Sequence, residues 1–242
     1  MNVARLFREK QEDLTGKKPI TIAFLGDSVT QGCFETYLTP DGRLFGTTDY
    51  PSAYSTRLRE MLALLYPTVQ VNIINSGING DRAAAGVRRL ARDILSYHPD
   101  LVVVAYGLND SCGGEAALPL YERALREIFT EIQKSGAEVI FLATNAMNTT
   151  VSPHLKEGLL SELAVRFSET VQKPGLLAKY YATARAVCEE CGAVMCDLYT
   201  VWARLEENGV NTTELLANKL NHPIREIHTY MAMKLLECML FN

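Results

Sequence analysis

The sequence predicts a three-layer α/β domain built around a five-stranded parallel sheet. Short apolar runs rich in β-branched residues recur along the 242 residues, and a segment with helical periodicity follows each run. The runs are apolar throughout rather than alternating, which is typical of strands covered on both faces. No repeat or low-complexity tract divides the chain. We therefore expect one domain over residues 1–242, with residues 1–17 as an N-terminal helical extension.

The predicted strands and helices alternate from residue 20 onward. The strands are expected over residues 20–25, 69–74, 101–106, 138–143 and 193–196. The helices are expected over residues 51–66, 81–97, 120–135, 175–191 and 223–239. The first and last helices open on Pro51 and Pro223, and the third and fourth stop at Gly136 and Gly192, which are the usual helix signals.

Composition excludes several classes of function. The 24 basic and 28 acidic residues give a formal charge of −4, which does not fit a nucleic-acid binder. The charged N-terminus lacks the apolar segment of a secretory signal, and no run approaches the ~20 apolar residues that span a bilayer. We therefore expect a cytoplasmic protein that neither spans a membrane nor binds nucleic acid.

The six cysteines are expected to be reduced thiols in that compartment. Cys188 and Cys191 have the spacing of a zinc pair, but Cys188 belongs to the apolar face of a predicted helix. An ordinary core thiol is the favoured interpretation, so no metal is expected.

Polar segments follow the first three predicted strands, at the edge of a parallel sheet where ligands bind. Ser28 lies at a strand-to-helix turn, where its hydroxyl could act as a nucleophile, and Asp27 is expected to hold that turn through backbone hydrogen bonds. Gly80 offers a backbone N–H and Asn109 a side-chain amide to a developing oxyanion. Each segment, taken alone, also fits ordinary helix-cap or turn chemistry.

A serine nucleophile needs a general base, usually histidine, and the chain has four histidines. His98 is predicted at the opposite edge of the sheet, and His228 lies inside the last helix. His154 lies in a loop at the functional edge and remains a reserve candidate. His222 directly precedes Pro223 at the start of the last helix, so elimination favours His222 as the base.

These segments resemble the four sequence blocks of the SGNH (GDSL-type) hydrolase superfamily. The blocks are residues 26–28, the segment around Gly80, residues 107–110 and residues 221–223. Each is short, but all four occur in order, and with their spacing they extend over nearly the whole chain from residue 20.

The resemblance implies a flavodoxin-like fold with strand order 2-1-3-4-5. It also implies that Ser28 is the nucleophile and His222 the base, with an oxyanion hole formed by the backbone N–H groups of Ser28 and Gly80 and the Asn109 side chain. The implied activity is hydrolysis of a small carboxylic ester, an acylated sugar or a short-chain ester, through an acyl-enzyme without a cofactor. The alternatives are an acyltransferase that uses the same residues and a non-catalytic binding module.

The chain departs from the family pattern at one position. The family usually has an aspartate three residues before the catalytic histidine, and Lys219 occupies that position here. We expect either a Ser–His dyad or a triad in which the Asn218 amide oxygen accepts the Nδ1 proton of His222. Asn221, a backbone carbonyl and Glu214 are the alternative acceptors.

Two further segments are open to two interpretations each. Residues 145–150, after the fourth strand, either line the substrate pocket or form a polar loop. Residues 33–50 contain several aromatic side chains, and they either cover the site or form a contact in a homo-oligomer.

Overall fold

A computed structural model describes residues 1–155 and 157–241, and these form a layered α/β structure around two sheets. In chain order the strands are β1 (Ile20–Gly26), β2 (Cys33–Leu38), β3 (Leu44–Thr48), β4 (Val71–Gly77), β5 (Leu101–Ala105), β6 (Glu138–Ala143) and β7 (Val194–Asp197). Five of them form a parallel sheet in the order β4-β1-β5-β6-β7, and β2 and β3 form a separate antiparallel hairpin. Counted within the parallel sheet alone, this is the order 2-1-3-4-5, which confirms the predicted fold class.

Helices cover both faces of the parallel sheet. On one face α3 packs against α10, and on the other α4, α6 and α8 pack in a row. The described residues contain the helices α1 (Asn2–Glu12), α2 (Ser28–Gln31), α3 (Tyr54–Leu65), α4 (Ala83–Asp93), α5 (Leu108–Ser111), α6 (Leu118–Lys134), α7 (Leu159–Phe167), α8 (Leu176–Cys191), α9 (Tyr199–Glu207) and α10 (Arg225–Phe241). Every residue of β1 and β5 is buried, as expected for central strands covered on both faces.

The N-terminal helix α1 packs against the same core. Val3 and Phe7 are buried, and the Phe7 ring lies 4.6 Å from the ring of Tyr66. The Glu138 carboxylate accepts hydrogen bonds from the backbone N–H groups at the start of α1, which is a favourable position for an anion.

The predicted elements lie close to the observed ones, and the differences fall at their ends. β4 begins two residues later than predicted and runs on to Gly77, while α4 begins at Ala83, whose backbone N–H donates to the Asp110 carboxylate. Neither the β2–β3 hairpin nor the helices α5, α7 and α9 were predicted. Among the described residues, no helix is long and apolar enough to cross a bilayer.

Candidate active site

The parallel register brings the ends of three strands together. Gly26 at the end of β1 lies beside Gly77 of β4 on one side and Ala105 of β5 on the other. The segments that follow these strands contain Ser28, Gly80 and Asn109 respectively. The site residues that are far apart in the sequence therefore meet at one edge of the sheet.

The structure places Ser28 and His222 in direct contact. Ser28 is the first residue of α2, and His222 lies in the loop before α10. The Nε2 atom of His222 is 2.9 Å from Oγ of Ser28, although the residues are separated by 194 positions in the chain. Both residues are almost fully buried, with 2% and 5% of their surface exposed. This is the hydrogen bond that a histidine base must make to a serine nucleophile.

The turn that presents Ser28 depends on its two preceding residues. A Cβ atom at Gly26 would lie 2.8 Å from the carbonyl oxygen of Ala105, so a larger residue would not fit there. The Asp27 carboxylate accepts a hydrogen bond of 2.9 Å from the backbone N–H of Val29 and so caps α2. Burial raises the pKa of Asp27 to about 7. The contact of this side chain is with the backbone of the turn, which is the function expected for it.

The other ring nitrogen of His222 is bound by the backbone of β2. Its Nδ1 atom is 3.0 Å from the carbonyl oxygen of Phe34. Because a carbonyl oxygen can only accept, Nδ1 must hold the proton and Nε2 must be the acceptor that faces Ser28. The neutral ring is thus held in the tautomer that a general base requires.

The surroundings of His222 favour its neutral form. Burial lowers the pKa of its imidazole to about 4, and the hydrogen bond to the Phe34 carbonyl opposes that shift only in part. Within the part of the chain that the structure describes, the hydrogen-bond partners of the ring are a hydroxyl and a backbone carbonyl, without a carboxylate.

Asn218 stabilises the loop of residues 216–224, called the histidine loop below, and does not orient the imidazole ring of His222. Its Oδ1 atom accepts hydrogen bonds of 2.9–3.0 Å from the backbone N–H groups of Leu220, Asn221 and His222. Its Nδ2 atom donates to Thr36 Oγ1 at 3.2 Å. The prediction that Asn218 accepts the Nδ1 proton is therefore wrong. The acceptor is the Phe34 backbone carbonyl, a group without a sequence signature.

Lys219, at the position of the family aspartate, binds a carboxylate away from the Ser28–His222 pair. Its backbone is left-handed, with φ of +58°, and its Nζ atom is 2.9 Å from the Glu214 carboxylate. Glu214 also accepts a hydrogen bond from Ser152. The interactions of Glu214 thus lie with these two side chains, so it is not the partner of His222.

Asn218→Ala is expected to lower the free energy of unfolding by about 2–3 kcal/mol, because three buried N–H groups lose their acceptor. The pH dependence of kcat/KM should keep its shape, since the Nδ1 contact of His222 remains. Urea unfolding and a pH–rate profile measure the two quantities, and Asn218→Asp, which keeps the acceptor oxygen, is the control for the stability measurement. An unchanged stability with a shifted profile would show that Asn218 acts on the ring after all.

Two of the predicted oxyanion donors, Gly80 in a turn and Asn109 in the short helix α5, lie in segments that are fixed to their neighbours. Gly80 has a φ of +78°, a conformation that favours glycine, and the adjacent N–H of Asn79 donates to Gln31 of α2 at 2.7 Å. Asn109 donates one amide hydrogen to the carbonyl of Asp81 at 3.1 Å. An amide NH₂ has two hydrogens, so this contact orients the group and leaves the second for a ligand.

A buried arginine that the sequence reasoning missed joins these strand ends. Arg89 of α4 donates to the carbonyl of Gly26 at 3.0 Å, to the carbonyl of Ser76 at 2.7 Å and to the Asp81 carboxylate at 2.8 Å. Asp81 also accepts a hydrogen bond from Tyr106 at 2.9 Å. An arginine on the otherwise apolar inner face of an amphipathic helix is the signal that could have indicated this network.

The other three histidines lie outside the catalytic pair. His98, with φ of +48°, precedes β5 at the opposite edge of the sheet, and His154 is exposed in a loop. His228 is fully buried in α10, and its Nδ1 atom accepts a hydrogen bond of 3.2 Å from the backbone N–H of Tyr54. Of the four histidines, His222 is the one whose ring contacts Ser28.

Residues 145–150 support the histidine loop. Asn145 and Asn148 are fully buried, and Asn145 donates to the carbonyl of Asn221 at 2.9 Å. The backbone N–H of Asn148 donates to the carbonyl of Leu220 at 2.8 Å.

Cys188, which the sequence offered with Cys191 as a zinc pair, is buried in α8. Across residues 1–155 and 157–241, no three His, Cys, Asp or Glu side chains form a group that could hold a metal ion.

Comparison with protein families gives an independent result. Residues 24–229 match the profile of a family described as the GDSL-like Lipase/Acylhydrolase family. An arylesterase from Vibrio mimicus is 32% identical over 80 residues, which are 33% of this chain and 40% of that relative. The chain therefore matches less than half of the length of this relative.

Solved structures share the fold over nearly the whole chain. An acetylxylan esterase from Geobacillus stearothermophilus is 19% identical, with a TM-score of 0.67 over 92% of this chain and 95% of the other. The acetyl xylan esterase AlAXEase is 21% identical, with a TM-score of 0.67 over 90% and 98%. Structures of the Geobacillus enzyme described as catalytic mutants replace a serine, an aspartate or a histidine by alanine.

Proposed function

Because this chain belongs to the GDSL-like lipase/acylhydrolase family, we propose that it is a serine ester hydrolase that works through an acyl-enzyme. The observation that carries the proposal is the 2.9 Å contact between Ser28 Oγ and His222 Nε2. The 3.0 Å contact of Nδ1 with the Phe34 carbonyl supports it, because that contact fixes the required tautomer.

The reaction proceeds in two halves. Ser28 Oγ attacks the ester carbonyl as His222 Nε2 accepts its proton, and His222 then gives this proton to the leaving alcohol. In the second half, a water molecule loses a proton to His222 and attacks the acyl group, and the proton returns to Ser28 as the acid leaves. His222 Nε2 accepts one proton and gives it up again in each half, so no cofactor is required.

The developing oxyanion is stabilised by the backbone N–H groups of Ser28 and Gly80 and by the Asn109 amide. Each donor of this kind contributes roughly 3–4 kcal/mol to transition-state stabilisation in comparable sites. The hydrogen bond from Asn109 to Asp81 supports the assignment, because it holds the amide in place before substrate arrives. Preorganised donors of this kind lower the barrier more than mobile ones.

The substrate class we propose is a small acyl ester, with an acetylated sugar as the first candidate. Two solved proteins with this fold are named as acetylxylan esterases, and the matching relative from Vibrio mimicus is named as an arylesterase. Both kinds of substrate present an ester carbonyl to a nucleophile, and they differ in the leaving alcohol, which is a sugar hydroxyl in one and a phenol in the other.

Hydrolysis of 4-nitrophenyl acetate and of acetylated xylo-oligosaccharides tests the proposal directly. We expect turnover of the aryl ester with a burst of nitrophenol, because nitrophenolate is a good leaving group and the acyl-enzyme then forms faster than it is hydrolysed. Adding a competing alcohol distinguishes hydrolysis from acyl transfer, since an acyltransferase would form the new ester in preference to acetate. A protein without turnover, burst or covalent labelling by a fluorophosphonate would be a binding module instead.

The acidic limb of kcat/KM is expected near pH 4. His222 acts as a base only when neutral, and burial lowers its pKa to about 4. Activity should therefore persist at about pH 5 and fall about tenfold per pH unit below the pKa. A pH–rate profile with an aryl acetate measures this limb, and an acidic limb at or above the ordinary histidine value of 6.5 would contradict the account.

Stability must be recorded alongside that profile. Burial lowers the folded-state pKa of His222 to about 4 and that of His228 to about 3, from an ordinary value of 6.5. The unfolded chain therefore binds protons first as the pH falls, and stability present above 6.5 is lost between 6.5 and these lower values. Circular dichroism at each pH separates this loss from protonation of the base.

A further inference from the structure

We propose that Arg225 is a positioning residue that fixes the Phe34 carbonyl behind His222, in place of the missing carboxylate. The inference rests on the proposed function, because it concerns how the general base of that reaction is oriented. Its basis is a continuous set of contacts between the first residue of α10 and the beginning of β2.

The first part of this set is a pair of ion contacts. The Arg225 guanidinium donates to both carboxylate oxygens of Glu35, at 2.6 and 3.2 Å. Its Nε atom donates to the Asp49 carboxylate at 2.8 Å. Glu35 lies in β2 and Asp49 directly follows β3, so one side chain fastens both strands of the hairpin to α10. The bidentate geometry fixes direction as well as distance.

The second part is a pair of contacts with the Phe34 ring. The Arg225 guanidinium carbon lies 4.3 Å from the ring centroid, within the range of a cation–π contact. The His228 ring lies 4.7 Å from the same centroid. Arg225 and His228 are three residues apart on α10, so the helix contacts the fully buried Phe34 side chain with two neighbouring positions of one face.

The third part is that the contact of Arg225 with the Phe34 ring and the contact of His222 with the Phe34 carbonyl lie close together along the chain. Phe34 contributes both the ring that Arg225 contacts and the carbonyl that accepts the hydrogen bond from His222 Nδ1. His222 itself lies only three residues before Arg225. The contacts of Arg225 therefore fix the segment that contains His222 against the segment that contains Phe34. Movement of β2 relative to α10 would change the distance between His222 Nδ1 and the Phe34 carbonyl oxygen directly.

The acidic partners of Arg225 do not act on the imidazole themselves. Hydrogen bonds from Arg225 hold the pKa values of Glu35 and Asp49 below their usual range, so both remain charged and bound to it. A second tether, from Asn218 to Thr36, joins the histidine loop to β2 at 3.2 Å. Loss of Arg225 should therefore make the position of the Phe34 carbonyl less well fixed, while the contact between Asn218 and Thr36 still holds β2 to the histidine loop.

Arg225→Gln tests the proposal through kcat. A misplaced catalytic contact can cost about 10²-fold, and since the second tether remains we expect kcat to fall about 10–100-fold with little change in KM. Arg225→Lys keeps the charge but loses the bidentate and planar contacts, and it should give an intermediate loss.

Imidazole NMR gives a readout that does not depend on turnover. Two-bond ¹H–¹⁵N correlations report the tautomer of His222, assigned by their absence in His222→Gln. The Nδ1–H tautomer should predominate in the unaltered protein and become mixed in Arg225→Gln.

Arg126→Gln is the matched control. The Arg126 guanidinium also contacts two carboxylates, those of Glu122 and Glu190, and its side chain is 37% exposed against 36% for Arg225. It lies on α6, on the other face of the sheet, so its loss should leave both kcat and the His222 tautomer unchanged.

An unchanged kcat and tautomer in folded Arg225→Gln, or equal effects in the two arginine variants, would overturn the proposal. If Arg225→Gln does not fold, Glu35→Gln weakens the same set of contacts and is judged by the same two readouts. An inactive, unlabelled wild type would instead refute the esterase assignment, and the tautomer comparison would still decide whether Arg225 orients His222.

Discussion

Ser28→Ala is expected to lower kcat for ester hydrolysis by about 10⁴–10⁶-fold, the range found when a serine nucleophile of this type is removed. The fold should be retained, because the side chain contributes one hydrogen bond, to His222, and the Asp27 cap of α2 remains. Steady-state kinetics with an aryl acetate measure the loss, and thermal unfolding checks the fold.

Ser96→Ala is the control for that experiment. Ser96 precedes β5 at the opposite edge of the sheet, where its hydroxyl donates to the carbonyl of Arg92. Its removal should leave kcat unchanged. Substantial turnover in Ser28→Ala with wild-type KM would assign the nucleophile to another residue.

His222→Ala is expected to lower kcat by a similar factor, because Ser28 then has no group to accept its proton. The double variant with Ser28→Ala should be hardly slower than either single variant, since residues that act as a unit have strongly non-additive effects. The same kinetic assay measures all three proteins.

His98→Asn provides the matched histidine control, as asparagine tolerates the left-handed backbone at that position. It should retain full activity. Independent, multiplicative losses from the Ser28 and His222 changes would contradict the dyad, because they would mean that each residue acts without the other.

Patterns of apolar residues were sufficient to predict the sheet. The predicted strand over residues 138–143 has the observed bounds of β6, and the others differ by a few residues at their ends. Central parallel strands are buried on both faces, so their sequences are short, continuous apolar runs rich in β-branched residues, and this pattern is typical of such strands. The pairing of Ser28 with His222 followed from their positions at the carboxyl-terminal edge of that sheet.

The partner of the His222 Nδ1 atom could not be predicted in the same way. It is a backbone carbonyl from a residue 188 positions away, and every residue has such a carbonyl. Phe34 becomes special only through the β2–β3 hairpin, whose strands carry mixed and largely exposed side chains and therefore lack a clear period. Asn218 was one of the nearby side-chain acceptors in the sequence, whereas its oxygen is occupied by backbone N–H groups.

The Arg89 network was missed for a related reason. A charged residue in an amphipathic helix is usually assigned to the solvated face, yet Arg89 is 7% exposed. Its buried guanidinium is satisfied by the strand-end carbonyls and the Asp81 carboxylate, which only the folded chain brings within reach. Polar groups that become paired by tertiary structure alone leave little trace in the local pattern.

The proposed mechanism requires Ser28 to carry the acyl group during turnover. Acid quenching of the enzyme during hydrolysis of an aryl acetate, followed by peptide mass spectrometry, tests it most directly. We expect an added acetyl group on the peptide that contains Ser28, and no such adduct in Ser28→Ala or His222→Ala. An acetyl group on a different residue, or an unmodified Ser28 in an enzyme that turns over with a burst, would contradict the account.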